Sequence, residues 1–445
     1  MPRAFPIAIG ALLLCLLTTL PARAQGLIRD AEIEHSLGTL ARPILDAAGL
    51  SPDTVKILLI NNPSLNAFVV DGAHIFLHSG LVRRLDTPEM FQAIIAHEAA
   101  HIANGHIARR TVSARNAQTA TTLGVLLSGI LAAAGNTQAA TGFVLGSAST
   151  AERLFLAHTR DEENAADQAA VRYMARAGVN PLALADVLEI FKGQDTLSES
   201  RQDPYARTHP LTRERLRVVR GYAAALDVQS TGADDDSAYW FARARGKLDA
   251  FLGNPGRVIR RLESKEPDSI TLMQRAVAYH RLSDFDRAIA NMDALMRARP
   301  DDAYVSELKG QILHEARQFA AAADAYARAV SLAPKEPLIL AGHGRALLAL
   351  DTTADNRRAL EVLERARAHD PFQPRMLRDL ALAHARLGND GMASLATAER
   401  FALIGRLKDA AIHAKRASDL LEQGSQAWNR AQDVLNAAEA AQKRR

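Results

Sequence analysis

Two histidines and a glutamate lie inside one apolar stretch, residues 93–106 ("AIIAHEAAHIANGH"). Titratable side chains in such surroundings are costly to bury unless a partner satisfies them. On a helix, His97, Glu98 and His101 share an arc of roughly 100°, because each residue advances about 100°. The two imidazoles can then bind one Zn²⁺, and Glu98 can take a proton from a water molecule beside the metal. The spacing predicts a catalytic zinc site; a chance string among 14 histidines is the alternative.

A catalytic zinc needs a third protein ligand and an open position. One class of zinc helix supplies a histidine at the position of Ile107, after a glycine at the position of Asn104, so the chain does not follow that pattern. A glutamate on a later helix is the other common source. Residues 159–170 ("TRDEENAADQAA") offer Glu162 and Glu163 for this role.

Glu163 is the favoured third ligand, because Asp167 follows four residues later on the same helix face. An aspartate in that position can accept a hydrogen bond from a ligand histidine and fix its tautomer. Asp161 and Glu162 are predicted to form a solvated acidic helix start, which the helix dipole favours.

Helices and strands with clear sequence signals surround these residues. Thr87 is a predicted N-cap before Pro88, and proline suits the first helical turn. Helices are predicted from Pro88 onward, over about 160–177 and over 181–191, and strand segments over 54–60 and 67–78. Residues 72–78 ("GAHIFLH") alternate enough for an edge strand that could pair with an extended polypeptide. An internal strand is the alternative.

The first 24 residues predict a cleavable secretory signal peptide. Arg3 precedes an apolar run over about 7–20, and residues 22–24 (Ala-Arg-Ala) form a small-x-small cleavage pattern. The alternative is an uncleaved membrane anchor, although the run is short for a span. The only cysteine, Cys15, is lost with this segment. Export without disulfides suits a bacterial periplasm.

Composition argues for a globular protein of more than one domain. The chain has 445 residues, 48% of them apolar and 23% charged. Cleavage after residue 24 removes two of the 54 basic residues and none of the 50 acidic residues, which lowers the net charge from +4 to +2. This balance argues against a nucleic-acid partner.

Residues 226–238 ("LDVQSTGADDDSA") lack periodicity and predict a linker between a domain over 25–225 and a repeat region over 239–445. In the second region Pro267, Pro300, Pro334 and Pro371 are 33, 34 and 37 residues apart. Small residues recur at matching offsets: Ala276 and Ala288, Gly310 and Ala322, Gly344 and Ala359, Ala381 and Ala393. This period resembles the tetratricopeptide repeat, a helix–turn–helix unit. About three extra residues are predicted near 352–356, and the tail from residue 428 predicts a capping helix; an unrelated helical bundle is the alternative.

Residues 121–149 contain two apolar arms around residues 135–138, and neither arm is long enough to span a bilayer as a helix. The resemblance to a metallopeptidase family set out below implies a helical hairpin near the active site, able to act as a lid or to touch a membrane. A buried pair of core helices is the alternative.

His97-Glu98-x-x-His101 combined with residues 159–167 ("TRDEENAAD") resembles the zinc metallopeptidase family that includes HtpX and the CAAX prenyl proteases. Thr159 stands where that family usually has serine. Residues 208–216 ("THPLTRERL") match its His-Pro…Arg element, and residues 66–82 match its strand segment before the zinc helix. The resemblance implies His97, His101 and Glu163 as zinc ligands and Glu98 as the general base.

The same match implies roles for His209 and Arg215 in the catalytic set. His209 would approach the zinc, either as a fourth ligand that holds the enzyme latent or as a donor that stabilises the developing oxyanion. Arg215 would bind a carboxylate, or form a surface ion pair. His74, His78 and His106 are expected to be structural or solvent-facing.

The predicted fold is mainly α: an α+β, gluzincin-type metallopeptidase domain with a small β-sheet, followed by an all-α repeat solenoid. The resemblance implies a periplasmic zinc endopeptidase that degrades misfolded or stalled outer-membrane β-barrel proteins and assists their assembly. Its repeats would bind the β-barrel assembly machinery. One alternative is a chaperone or scaffold with a latent protease site, and another is a membrane protease that keeps its N-terminal anchor.

Overall fold

The computed structural model describes residues 26–108, 159–194, 197, 201–210, 213–226 and 235–443. The predicted signal peptide and the apolar segment 121–149 lie outside these residues. Within the described part, helices dominate and four strands form one sheet. None of the helices described there is both long and apolar enough to cross a bilayer.

The sheet has the strand order β1-β2-β4-β3. The strands are β1 (Leu27–Ile28), β2 (Lys56–Ile60), β3 (Ala67–Val69) and β4 (His74–His78). β2 runs parallel to β4, whereas β1 pairs antiparallel with β2 and β3 pairs antiparallel with β4.

The edge-strand prediction for residues 72–78 is wrong, because β4 lies between β2 and β3. The Asp71 carboxylate accepts hydrogen bonds from the backbone N–H groups of Ala73 and His74, each at 2.8 Å. This turn folds β3 back onto β4, so that β3 takes the edge position.

Seven helices accompany the sheet in the described N-terminal part. They are α1 (Ala31–Ala47), α2 (Ser79–Arg84), α3 (Pro88–Ala103), α4 (Arg160–Arg176), α5 (Leu182–Ile190), α6 (Pro204–Thr208) and α7 (Arg213–Ala225). The Thr87 hydroxyl caps α3 by accepting a hydrogen bond from the Met90 N–H. Thr159 and Glu162 form a capping box at the start of α4. The helices predicted from Pro88, over 160–177 and over 181–191 are therefore confirmed.

The helix α3 lies at the centre of the N-terminal core. Phe91, Ile94, Ile95 and Ala99 are at most 1% exposed, and every residue from Pro88 to His101 except Glu89 is buried. A helix that is apolar on all sides belongs in the interior. The two histidines of α3 are thus held within the buried core of this region.

Twelve helices follow in the described C-terminal part. They are α8 (Asp235–Leu252), α9 (Pro255–Leu262), α10 (Ser269–Arg281), α11 (Phe285–Ala298), α12 (Ala303–Glu315), α13 (Phe319–Leu332), α14 (Pro337–Leu350), α15 (Thr353–His369), α16 (Pro374–Arg386), α17 (Asp390–Leu403), α18 (Leu407–Leu420) and α19 (Gln426–Lys443). From α10 onward they form consecutive pairs, which confirms the helix–turn–helix repeats, and α19 is the predicted terminal helix. The three extra residues of the third unit lengthen α15 to 17 residues, against 14 for α13.

Glycines allow the two helices of a repeat unit to approach each other closely. A Cβ atom on Gly310 would lie 2.7 Å from the Tyr326 ring, and one on Gly344 would lie 2.5 Å from Cγ of Leu363. Both distances are too short for any larger residue. The predicted small positions of the fourth unit, Ala381 and Ala393, are less tightly packed and only partly buried.

The helix α8 joins the two parts of the chain. Phe241, Ala244 and Leu248 pack into the N-terminal core. On the same helix, Lys247 Nζ lies 2.9 Å from an Asp30 oxygen and 3.0 Å from a Glu32 oxygen. The helix begins inside the interval predicted as a linker, and acidic residues in its first turn favour this start. The division of the chain at 226–238 stays a prediction.

Candidate metal centre

Four buried side chains from three segments of the chain converge near the middle of α3. His97 and His101 come from α3, Glu163 from α4, and His209 directly follows α6. Each of the four is 0% exposed, and one potential ligand atom from each lies within 4.8 Å of all the others. Among the described residues this is the only such group of histidine, cysteine and acidic side chains.

The ligand atoms crowd together at hydrogen-bond distances. His97 Nε2 lies 3.1 Å from His101 Nε2 and 3.2 Å from His209 Nδ1. Glu163 Oε1 lies 3.0 Å from His209 Nδ1 and 3.4 Å from His101 Nε2. Three imidazole nitrogens and a carboxylate oxygen that face one another in this way form a donor set suited to zinc.

Outer contacts turn both helix histidines toward the centre. His97 Nδ1 lies 3.0 Å from Asp167 Oδ1, the contact expected of a residue four positions after Glu163. His101 Nδ1 lies 2.8 Å from His106 Nδ1. With each Nδ1 engaged, each Nε2 is directed inward, as a metal-binding histidine requires.

His106 is a functional candidate that the sequence reasoning undervalued. It is 2% exposed and reaches back to His101 because Gly105 adopts a left-handed conformation with φ of 69°. The Gly-His pair just beyond α3 is the sequence signal that could have indicated this return. The other two histidines stay away from the centre: His78 contacts the Ser64 hydroxyl at 2.9 Å, and His74 contacts Asp71 at 2.8 Å.

Arg215 lies beneath the centre rather than on the surface. Its Nε and Nη2 atoms bind the two Asp167 oxygens at 2.7 and 2.8 Å, and its Nη1 lies 2.7 Å from Glu163 Oε2. Nη1 also donates to the Pro210 carbonyl at 3.1 Å. The side chain is 2% exposed. It therefore binds carboxylates of this chain, which corrects the surface-pair alternative.

The electrostatic field at the centre favours a cation. Burial lowers the pKa of His97, but the Glu163 and Asp167 carboxylates outweigh it and raise the pKa to about 10. Burial holds the pKa of His101 well below its usual value, so this imidazole stays neutral. Burial opposes ionisation of Glu163, yet the nearby His209 and Arg215 side chains keep its pKa well below the usual range. His101 and Glu163 therefore have the protonation states that a metal needs in its ligands. His97 would release its proton on metal binding, and the metal would replace that positive charge between the carboxylates.

Glu98 points into the same space without a hydrogen-bond partner among the described residues. Its side chain is 0% exposed, neither carboxylate oxygen has such a partner, and Oε1 lies 3.5 Å from His209 Nε2. Burial raises the pKa of Glu98. A buried carboxylate with a raised pKa beside a donor cluster suits proton transfer, and its unpaired oxygens fit a site that also holds water and a metal.

The choice between the two adjacent glutamates follows from α4. Glu163 faces the centre, whereas Glu162 bonds back to the Thr159 N–H in the capping box and Asp161 is exposed. Asp167 lies one turn after Glu163 on α4. It can reach His97 only because the helix is rotated so that Glu163 is buried.

Two families of known sequences match the chain. Residues 28–223 match peptidase family M48, and residues 273–337 and 344–391 match a tetratricopeptide repeat family. The beta-barrel assembly-enhancing protease of Escherichia coli K12 is 26% identical over 405 residues, which cover 90% of this chain and 81% of that protein. A putative beta-barrel assembly-enhancing protease of Vibrio cholerae is 24% identical over 425 residues, which cover 91% and 84%.

Among solved structures, residues 41 to the end of MamA from Desulfovibrio magneticus RS-1 match 40% of this chain and 92% of their own length, with 21% identity and a TM-score of 0.30. The assignment of the chain depends on the two sequence families and on the convergence of α3 and α4 at one buried donor cluster. Residues 28–223 are thus a metallopeptidase domain of family M48, tetratricopeptide repeats follow it, and the chain is homologous to the beta-barrel assembly-enhancing proteases.

Proposed function

We propose that this protein is a zinc-dependent endopeptidase of the periplasm. Its substrates would be misfolded or stalled outer-membrane β-barrel proteins, whose assembly it would also assist. The buried cluster of His97, His101, Glu163 and His209 carries the proposal on the chemical side. The names of the homologous proteases, which refer to β-barrel assembly, suggest the substrates. The signal-peptide pattern of residues 1–24 suggests the compartment.

His97, His101 and Glu163 are the proposed zinc ligands. They lie on α3 and α4, which both pack in the N-terminal core, and Asp167 and His106 contact the two rings and orient them. Zinc bound there would polarise the scissile carbonyl and lower the pKa of a nearby water. Imidazole and carboxylate ligands together favour zinc over the hard cations Mg²⁺ and Ca²⁺, which prefer all-oxygen sites.

Glu98 is the proposed proton carrier. One of its carboxylate oxygens would accept a proton from the attacking water, and the same carboxyl would then donate that proton to the departing amine. The sum of the two transfers leaves Glu98 as it began, while water adds across the peptide bond. Burial supports this role because it raises the pKa of the carboxyl toward the working pH.

His209 is proposed as a fourth ligand in the arrangement described. Its Nδ1 lies 3.2 Å from His97 Nε2 and 3.0 Å from Glu163 Oε1, within the donor cluster. The ring stacks on Tyr205, with 4.5 Å between centroids, and its Nε2 lies 3.3 Å from the Ala67 carbonyl oxygen. A zinc with four protein ligands has no open position for water, so this form would be latent.

Arg215 is proposed as a positioning residue. Its guanidinium touches Glu163, Asp167 and the Pro210 carbonyl, and it holds α4 and the His209 segment together. Its side chain is almost fully buried, so it acts on the reaction through Glu163 and Asp167.

A chaperone or scaffold with a latent protease site is the second candidate. The presence of His209 inside the donor cluster supports it, because four protein ligands would close the site. In that case the repeats, which match a protein-binding repeat family, would carry the function alone.

One experiment separates the candidates. Purified residues 25–445 are incubated with an unfolded outer-membrane β-barrel protein, with and without a chelator, beside Glu98→Gln and the matched control Glu162→Gln. We expect the chelator and Glu98→Gln to lower cleavage by roughly 10²-fold or more, and Glu162→Gln to leave it unchanged. Equal cleavage in all reactions would refute the peptidase proposal. No cleavage by the wild type, with its effect on β-barrel assembly intact, would favour the scaffold.

A further inference from the structure

Arginines gather on one face of the C-terminal repeat units. Arg345 belongs to α14, Arg375 and Arg378 to α16, and Arg400 to α17. These four residues are called the arginine cluster below. Arg375 and Arg378 are exposed, and Arg345 and Arg400 are partly exposed.

The negative charge around the cluster is insufficient to neutralise it. Asp379 is 3% exposed and is shared, because one oxygen lies 2.8 Å from Arg345 Nε and the other lies 2.8 Å from Arg378 Nη2. Within the described part of the chain, no carboxylate lies within 4 Å of the guanidinium of Arg375 or Arg400. The cluster therefore carries a surplus of positive charge.

Arg375 and Arg400 both lie close to other guanidinium groups. Partial desolvation lowers the pKa of Arg375, and the neighbouring guanidiniums of Arg345 and Arg378 lower it further, whereas the Asp379 and Glu315 carboxylates oppose the shift. Burial and the positive charges of Arg378 and Arg406 lower the pKa of Arg400. An anion at this position would relieve the repulsion.

At the other end of the repeat region, the face that carries the cluster contacts other helices of the same chain. Residues 304, 338 and 375 occupy equivalent positions in three successive units, and residues 307, 341 and 378 occupy a second set of equivalent positions. In the second unit, Tyr304 stacks on His35 of α1 at 4.7 Å, and Glu307 lies 3.9 Å from Lys247. Two units further along, the same positions hold Arg375 and Arg378 and meet solvent.

An apolar contact point accompanies the charges. Leu382 lies seven residues after Arg375 on the same side of α16 and is 42% exposed. An exposed leucine beside arginines provides an apolar contact next to cationic groups. A peptide with both carboxylate and apolar side chains could bind to this combination.

We propose that the arginine cluster and Leu382 form a docking surface for an acidic segment of a partner polypeptide, in which aspartate or glutamate side chains flank an apolar residue. This inference rests on the partner-binding role of the repeats in the proposed function. Guanidinium groups bind carboxylates in a bidentate manner, which gives orientation as well as affinity. The continuity with an intramolecular protein interface favours polypeptide over lipid as the occupant.

The test measures binding of a fluorescent Asp/Glu-rich decapeptide with one central leucine to residues 25–445. All chains carry Glu98→Gln, so that cleavage does not disturb the measurement and the result does not depend on peptidase activity. The variants are Arg375→Glu and Arg400→Gln, which break no ion pair among the described residues. The matched control is Arg357→Glu, an exposed arginine on α15. Thermal melting checks that each chain is folded.

We expect each test variant to bind the peptide roughly ten-fold more weakly than the parent, with the control unchanged and binding weakened by salt. Wild-type affinity in Arg375→Glu, or equal binding of a lysine-substituted peptide, would overturn the proposal. Binding of anionic phosphatidylglycerol vesicles without binding of the peptide would assign the surface to lipid and would also overturn it. Failure of this test would leave the chelator-sensitive cleavage assay untouched, so the two proposals fail separately.

Discussion

Asp167 and Arg215 form a buried bidentate ion pair, with nitrogen–oxygen distances of 2.7 and 2.8 Å. The same aspartate lies 3.0 Å from His97 Nδ1. The orientation of His97, a proposed zinc ligand, therefore depends on an arginine of α7 that lies 48 residues after Asp167 in the chain. The ion pair couples the His209 segment and α7 to the metal centre.

Replacing Arg215 with glutamine should destabilise the protein by about 3–5 kcal/mol, because the Asp167 and Glu163 carboxylates would stay buried without their shared cation. Urea unfolding measures the loss, and zinc content per chain reports whether the centre survives. The control is Arg217→Gln, which removes an exposed arginine of α7 whose one ion pair among the described residues is with Glu214. An Arg215→Gln protein as stable as this control would show that the ion pair has no structural role.

Replacing His209 with alanine should raise the turnover of unfolded substrate. If His209 leaves only about one-tenth of the molecules open, its removal raises turnover about ten-fold. Initial rates and bound zinc are measured together, with His74→Ala as a control outside the centre. Loss of turnover with full zinc content would instead assign His209 to transition-state stabilisation and contradict the latch.

The contact between the repeats and α1 should weaken as pH rises through neutrality. Burial raises the pKa of Glu336 from 4.5 to about 7, and the nearby Glu34 carboxylate adds to the shift. A raised folded pKa means that the stabilisation is complete below about pH 4.5 and is lost as pH rises through 7. Melting temperatures from pH 5 to 8 should therefore fall more for the wild type than for Glu336→Gln.

The control for this measurement is Glu361→Gln, an exposed glutamate on α15. Its pH profile should follow that of the wild type. Parallel profiles for Glu336→Gln and the wild type would show that Glu336 does not titrate in this range.

The two glycines Gly344 and Gly38 should respond to alanine in opposite directions. A Cβ at Gly344 meets Leu363 Cγ at 2.5 Å, so Gly344→Ala should cost about 1–3 kcal/mol through overpacking. A Cβ at Gly38, inside α1, meets nothing within 4 Å, so Gly38→Ala should add about 0.5–1 kcal/mol through helix propensity. Equal changes in the free energy of unfolding would contradict the packing argument.

Much of the fold followed from local signals in the sequence. Thr87 and Pro88 indicated the start of α3, and the spacing of prolines and small residues indicated the repeat pairs, because caps and helical periodicity depend on neighbours within a few residues. The spacing of His97, Glu98 and His101, and the four-residue interval from Glu163 to Asp167, likewise indicated shared helix faces.

Only the tertiary structure decided which distant segments meet. The sequence did not show that β4 would be internal, that α8 would pack into the N-terminal core, or that Arg215 would be buried against Asp167 and Glu163. Alternation along a strand is the same at an edge as in the interior, and the charge of an arginine does not reveal its partner. The energy of such contacts depends on chain segments separated by tens to hundreds of residues, whose approach is determined by the packing of the whole core.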